Sequence, residues 1–199
     1  MSKEEILEEI AHEVKACRKC PLWKTRKNAV PGDGNPSAEV MFIGEAPGYW
    51  EDVKGKPFVG AAGKFLDTLL SILRVSRSDV FIGNILKCRP PQNRDPLPEE
   101  IRACTPFLDR QIRVIEPRYI VTLGRHSTAY IFSKMGLQFT SISAVHGKFF
   151  EGQVLGLNVC VFPTYHPAAA LYSARNREAS ENDFKILKAE LERHGVIKA

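Results

Sequence analysis

Three short apolar runs, Val40-Met-Phe-Ile43, Val80-Phe-Ile-Gly-Asn-Ile85 and Tyr119-Ile-Val-Thr-Leu123, recur along the chain with helix-patterned segments between them. This alternation constrains the fold more than any other feature. Between the first two runs, Phe65, Leu66, Leu69, Leu70 and Leu73 fall at helical spacing over Ala61 to Leu73. Between the second and third, Pro98-Glu-Glu places a proline and two acids in the first turn of a helix that runs to about Ile115. Strands that alternate with helices imply right-handed βαβ units. The expected fold class is therefore α/β, a three-layer α/β/α arrangement around a short, mainly parallel central sheet.

The flanking segments fit the same plan. Residues 2 to 16 read as an amphipathic helix with Ile6, Ile10 and Val14 on one face. Gly147-Lys-Phe-Phe-Glu151 and Val159-Cys-Val-Phe162, with Gly152 and Gly156 between them, read as a hairpin-like pair, and a final helix is expected from about Glu181 to Arg193. No repeat or low-complexity linker interrupts the 199 residues, so residues 1–199 are expected to form a single domain. The apolar runs fall far short of the ~18 residues that a membrane helix needs. The first ten residues alternate charge with apolar side chains where a secretory signal would be continuously apolar, so a cytoplasmic location without a membrane partner is expected.

Five cysteines then demand an account: Cys17, Cys20, Cys88, Cys104 and Cys160. In a reducing compartment they are poor candidates for disulfides, which leaves metal binding, catalysis or core packing. Cys160 lies in Leu157-Asn-Val-Cys-Val-Phe162 and reads as a small hydrophobe in a strand. Cys17 and Cys20 form a CxxC whose thiolates can face one ion, with Cys88 and Cys104 as partners. Four thiolates suit either tetrahedral zinc or an iron-sulfur cluster, and spacing leaves both open. Cys88 and Cys104 also have a plain reading as core residues.

Glu45, Asn84 and His166 stand at the ends of expected strands, with Phe58 close by in the sequence. In a parallel sheet those ends converge on one crevice, where a carboxylate, a carboxamide, an imidazole and a ring can surround a planar ligand. Singly, each has an ordinary role as a cap, a turn, a core histidine or a packed ring. No nucleophilic triad is evident. Lys plus Arg exceed Asp plus Glu by 28 to 23, so polyanions are plausible partners, although the same excess suits a merely soluble surface.

Taken together, Cys17-Arg-Lys-Cys20, Gly44-Glu-Ala-Pro-Gly48, Pro57-Phe-Val-Gly60, Asn84-Ile-Leu-Lys-Cys-Arg-Pro-Pro91, Asn93-Arg-Asp-Pro96 and His166-Pro-Ala-Ala169 resemble the family 4 uracil-DNA glycosylases. These are thermostable bacterial and archaeal enzymes. The resemblance implies a uracil-DNA glycosylase-like fold and a [4Fe-4S] cluster on Cys17, Cys20, Cys88 and Cys104 that ties the N-terminal helix to the Pro-rich loop. It implies catalytic roles for Glu45 and His166, with His166 donating to uracil O2. Gly44, Ala46, Glu51, Phe58 and Asn84 would bind the base. Glu45 stands where family 1 enzymes carry an aspartate in GQDPYH, and Gly48 where they carry the tyrosine that excludes thymine; Glu51 is expected to supply the substitute wall.

For DNA, Gly147 and Lys148 are expected to meet phosphates, while the loop after His166, with Leu171, Tyr172 and Arg175, would wedge the stack and grip the backbone. Leu171 and Tyr172 have a competing reading as core, and Lys148 as a solvated charge. Expected partners are uracil-containing DNA, single- or double-stranded, and the replication sliding clamp that the family suggests, although no docking peptide is legible near Ile197-Lys-Ala199. The alternatives are a non-catalytic cluster-bearing module that binds nucleic acid, and a redox protein.

Overall fold

A computed structural model describes all 199 residues. Six strands form one sheet: β1 (Asp33–Gly34), β2 (Val40–Gly44), β3 (Phe81–Asn84), β4 (Tyr119–Leu123), β5 (Phe150–Val154) and β6 (Leu157–Thr164). Their order is β1-β3-β2-β4-β6-β5. The four central strands are parallel, and only the edges β1 and β5 run antiparallel. All three apolar runs of the sequence therefore occupy the interior of the sheet, where both faces are covered and no polar alternation is needed.

Successive β2 residues point to opposite faces. Val40 and Phe42 join one core with Phe65, Leu66, Leu69 and Leu70 of α3 (Ala61–Ile72) and Phe184, Leu187 and Leu191 of α7 (Ala174–Arg193). Met41 and Ile43 join a second core with Leu108, Ile112 and Ile115 of α4 (Pro98–Ile115) and Ile131 and Phe132 of α5 (Arg125–Met135). This is the expected α/β/α layering, with the residues of α3 facing inward at the periodicity read from the sequence and α4 forming where its Pro-Glu-Glu start placed it. Deleting a side chain such as Leu69 or Leu108, both fully buried, would cost about 2–5 kcal/mol. No helix is long and apolar enough to cross a membrane.

A third, smaller core closes the N-terminal region. In α1 (Lys3–Ala16) the Ser2 hydroxyl accepts from Glu5 N–H as an N-cap, and Ile10 and Val14 pack with Leu22, Leu86 and Phe107. Arg110 of α4 pairs in fork geometry with Glu13 of α1. At the start of α4, Glu100 accepts from Leu97 N–H and pairs with both Arg94 Nη atoms at 2.8 Å, which closes the Pro-rich loop onto the helix.

The C-terminal third differs from expectation in its boundaries. The last helix begins at Ala174 rather than near Glu181, because Ser173 caps it by accepting from Asn176 N–H and the Arg177–Glu181 ion pair supports its first turns. Arg175 thus lies on a helix, not in the loop after His166. The hairpin forms, but its first strand starts at Phe150, and the turn falls at Leu155-Gly156. Two short helices, α2 (Tyr49–Lys54) and α6 (Ile142–Val145), were not legible as helices in the sequence.

Candidate active site

The carboxyl ends of β2, β3 and β6 lead into a cavity of about 590 Å³. Glu45 follows β2, Asn84 ends β3 and His166 lies two residues beyond β6. Phe58, on the loop before α3, completes the set, and all four line the cavity together with Ala46 and Glu51. Gly44 does not line it. As the register partner of Asn84, it lies beneath, and a Cβ there would stand 2.6 Å from Asn84 Oδ1 and 2.7 Å from Phe58 Cζ. Only a glycine lets the carboxamide and the ring approach so closely.

Asn84 is 2% exposed, and its Oδ1 is buried without a hydrogen-bond partner. Leaving a buried acceptor open costs about 1–3 kcal/mol, a cost that a ligand donor would remove. Phe58 is held in a left-handed backbone conformation (φ 52°). Arg77 fixes it by donating to the carbonyls of Pro57, Phe58 and Gly63, and Gly63 leaves room for the Phe58 carbonyl, which a Cβ would meet at 1.8 Å. Strain of this kind collects at functional sites, at about 1–3 kcal/mol per residue.

The His166 ring stacks on Phe58 with centroids 5.6 Å apart at 28°. Its Nδ1 accepts from Ala168 N–H at 3.0 Å, which leaves the proton of the neutral ring on Nε2. Burial pushes the imidazole down to about 4, with only a partial opposing pull from Glu51. A neutral imidazole that donates from Nε2 is thus built into the fold.

Glu45 belongs to a cluster that sequence reasoning missed. His126 Nε2, in the first turn of α5, lies 3.7 Å from Glu45 Oε1 and 3.5 Å from Asp95 Oδ1, and Arg125 pairs with Asp95 at 2.7 Å. Burial raises the Glu45 carboxyl above its usual range and Asp95 adds to this, whereas His126 and Arg125 pull the other way. A signal was present in the sequence: His126 follows the end of β4, where the strand-end rule that found Glu45, Asn84 and His166 applies equally.

Glu51 lines the cavity, but its carboxylate is committed. It accepts from the N–H groups of Gly48 (3.0 Å), Val59 (2.8 Å) and Gly60 (2.9 Å), so it joins the GEAPG turn to the loop that carries Phe58. At the rim, Leu171 is 39% and Tyr172 93% exposed. The core reading of these two residues is therefore wrong, because the turn Pro167–Leu171 carries them outward past His166. Lys148 and Arg175 are exposed. Beside Lys148, Gly147 adopts φ 74° and donates to Pro163 O, with no room for a Cβ against Asp183 Oδ1. Asp183 also accepts from Thr164 Oγ1 and binds His146 Nδ1 at 2.9 Å, which pins this loop to the end of β6.

Cys17, Cys20, Cys88 and Cys104 surround one small chamber walled by Val14, Leu22, Trp23 and Phe107. Cys160 lies elsewhere, on β6 at the edge of the first core. Arg26 Nη1 donates to Cys88 Sγ at 3.2 Å and Lys87 N–H to Cys104 Sγ at 3.2 Å. Burial raises the Cys20, Cys88 and Cys104 thiols, Cys104 to about 12. The chamber and the cavity communicate through the backbone. After Asn84, Ile85 and Leu86 donate to the carbonyls of Gly44 and Glu45, and Cys88 follows two residues later.

Comparison with known proteins agrees with this geometry. Residues 31–192 match the family model of the uracil DNA glycosylase superfamily. The type-4 uracil-DNA glycosylase of Saccharolobus solfataricus is 59% identical over 186 residues, covering 93% of this chain and 86% of that protein. That of Archaeoglobus fulgidus is 52% identical, with 91% of each chain covered. A type-5 uracil-DNA glycosylase of Thermus thermophilus is more distant, at 32% identity over 70% of this chain and 69% of its own length. A family match that spans residues 31–192 and identities above 50% over nine-tenths of the sequence leave one conclusion: the chain belongs to the uracil-DNA glycosylase superfamily, as a member of its type-4 branch.

Proposed function

We propose that the protein excises uracil from DNA by hydrolysing the N-glycosidic bond, leaving an abasic site, and that it does so in the cytoplasm as a single domain. The observation that carries this reading is the open, buried Asn84 Oδ1 beside a strained, stackable Phe58 in a cavity of ligand size. Asn84 accepts from uracil N3–H and donates from Nδ2 to O4. Cytosine presents the reverse pattern and leaves buried groups unpaired, a mismatch worth roughly 10⁴ to 10⁵ in selectivity. Phe58 stacks on the extruded ring, at about 1–3 kcal/mol.

Breaking the C1′–N1 bond leaves positive charge on the sugar and negative charge on the base. His166, neutral and donating from Nε2, bonds uracil O2 as the negative charge develops. Glu45, held between His126 and the sugar side of the cavity, positions water or stabilises the cation. Ala46 shapes the wall beside it. Glu51 excludes the thymine methyl while its carboxylate holds the Phe58 loop, so Glu51→Ala admits thymine and also slackens stacking.

Cys17, Cys20, Cys88 and Cys104 fit a [4Fe-4S] cluster: the donors are four sulfurs in an apolar chamber, and three of them receive N–H bonds of the sort that tune such centres, Cys17 from Lys19, Cys88 from Arg26 and Cys104 from Lys87. When bound, the cluster supplies a cross-link among α1, the β3–α4 loop and α4. Because Cys88 follows closely after Asn84, that link also holds the base-reading carboxamide in register.

Extruding the nucleotide costs a few kcal/mol. Leu171 and Tyr172 wedge the stack, while Lys148 and Arg175 meet phosphates; Gly147, expected to offer its amide, has that N–H committed to Pro163 O and instead shapes the loop that presents Lys148. Association with a replication clamp is proposed only as a family trait. Val196 and Ile197 are half-buried against the first core, so these two residues are not free to serve as a docking peptide. Incubation with a uracil-containing oligonucleotide followed by alkali tests the activity. Scission at uracil is expected; binding without scission overturns it in favour of a non-catalytic module.

A further inference from the structure

Two large aromatic side chains stand in solvent at the rim of the cavity, and nothing in the mechanism uses them. Tyr49 is 49% and Trp50 53% exposed, and both line the cavity from α2. The rings meet edge to face, 5.0 Å apart at 89°, so Tyr49 braces Trp50 while about half of the indole side chain stays in solvent.

Three cations frame the pair. Lys27 Nζ and the Arg89 guanidinium lie 5.8 and 5.4 Å from the Tyr49 centroid, and Lys54 Nζ lies 6.0 Å from that of Trp50. None of the three is paired with a carboxylate. At these loose distances and this exposure the cation–π contacts are too weak to account for two exposed aromatics. The frame is nevertheless built. Buried Asp52 accepts from Lys27 and Asn28 N–H at 2.8 and 3.2 Å, and Asn28 Nδ2 donates to Asp52 O at 2.9 Å, which fastens the Lys27 loop to α2. Arg89 is steered by donating from Nε to Asn93 Oδ1 at 2.8 Å.

Exposed aromatic faces interleaved with unpaired cations, continuous with a cavity that takes one nucleotide, form a single-strand binding surface: the rings stack on bases and the cations follow phosphates. We propose that Trp50, braced by Tyr49, stacks on an unpaired base of the same strand within a few nucleotides of the extruded uridine, and that Lys27, Lys54 and Arg89 bind the intervening phosphates. The protein thereby grips single-stranded flanks more tightly than paired ones, whose bases are already stacked on each other. This rests on the proposed glycosylase reading, because the cavity fixes which strand lies across the platform.

Two measurements test it. Fluorescence anisotropy with a uracil-free single strand should show Trp50→Leu binding about 5-fold or more weakly than wild type, with Trp50→Phe recovering part of the loss. In steady-state excision from single strands carrying one uracil, removing a single base at each of the three neighbouring positions on either side should raise KM for wild type at one position. Trp50→Leu should show no further rise there. If Trp50→Leu binds as wild type does, or if base removal raises KM equally in both proteins at every position, the platform is overturned. Wild-type protein that binds single strands through Trp50 but releases no uracil would overturn the glycosylase reading and leave the platform standing.

Discussion

Replacing Gly44 with alanine tests whether the ends of β2 and β3 set the geometry of catalysis. The added Cβ would stand 2.6 Å from Asn84 Oδ1 and 2.7 Å from Phe58 Cζ, where ordinary contact begins near 3.4 Å, so something must yield by about 0.8 Å. Neither neighbour is free to give. Phe58 is fixed through its own carbonyl by Arg77 and hemmed by Gly63, and Asn84 is in sheet register with residue 44 itself. A misplacement of about 1 Å in a positioning group costs on the order of 100-fold in rate, and overpacking costs about 1–3 kcal/mol in stability. The expected result is a fall of roughly 100-fold in kcat/KM for uracil release from a single-stranded oligonucleotide. The variant should still melt cooperatively, about 2–12 °C below wild type. Activity within threefold of wild type would refute the view that a side chain at 44 must displace the base-reading pair.

Further outcomes are expected. Asn84→Asp removes the Nδ2 donor to O4, so the preference for uracil over cytosine, roughly 10⁴ to 10⁵, should collapse by several powers of ten; an unaltered ratio in a competition assay would contradict the assigned contacts. Because burial lowers His166 to about 4 from 6.5, the unfolded chain binds a proton that the folded chain refuses between those values. Its contribution is therefore complete above about pH 6.5 and drains as pH falls toward 4, by up to about 3 kcal/mol. Denaturant titrations should show wild type losing stability relative to His166→Asn across that window, and parallel curves would sink the claim. Protein purified in air should be brown, and Cys88→Ala colourless with a lower Tm; a colourless wild type loaded with zinc would rule out the cluster. Leu171→Ala should lose about tenfold more activity on duplex than on single strands, since only duplex substrate needs the wedge, and equal losses on both would remove it.

The sequence showed the sheet most clearly where physics acts locally. The β2, β3 and β4 runs are apolar because both faces are covered, α3 carries its inward residues at helical period, and α4 opens on Pro98-Glu-Glu. Glu45, Asn84 and His166 were legible as a set because parallel strands must end on the same side. The start of α7 was misread because Ala174 to Arg177 carries no apolar period, and its helicity comes from the Ser173 cap and side-chain pairing instead. Tyr49 and Trp50 escaped notice because two adjacent aromatics have no period and α2 is only six residues long.

By itself, the sequence determined the layers, the strand ends and the chemistry of the residues placed there, since these follow from periodicity and side-chain type. Only the tertiary structure decided that Gly44 supports the pocket rather than lining it, that His126 and Asp95 flank Glu45, and that Glu51 is committed to three amides. It also decided between the two readings of Leu171 and Tyr172, exposed loop or core, in favour of exposure. The reason is physical: each of these facts is a distance between atoms far apart along the chain, set by how sheet and helices pack, and no local pattern of residues encodes it.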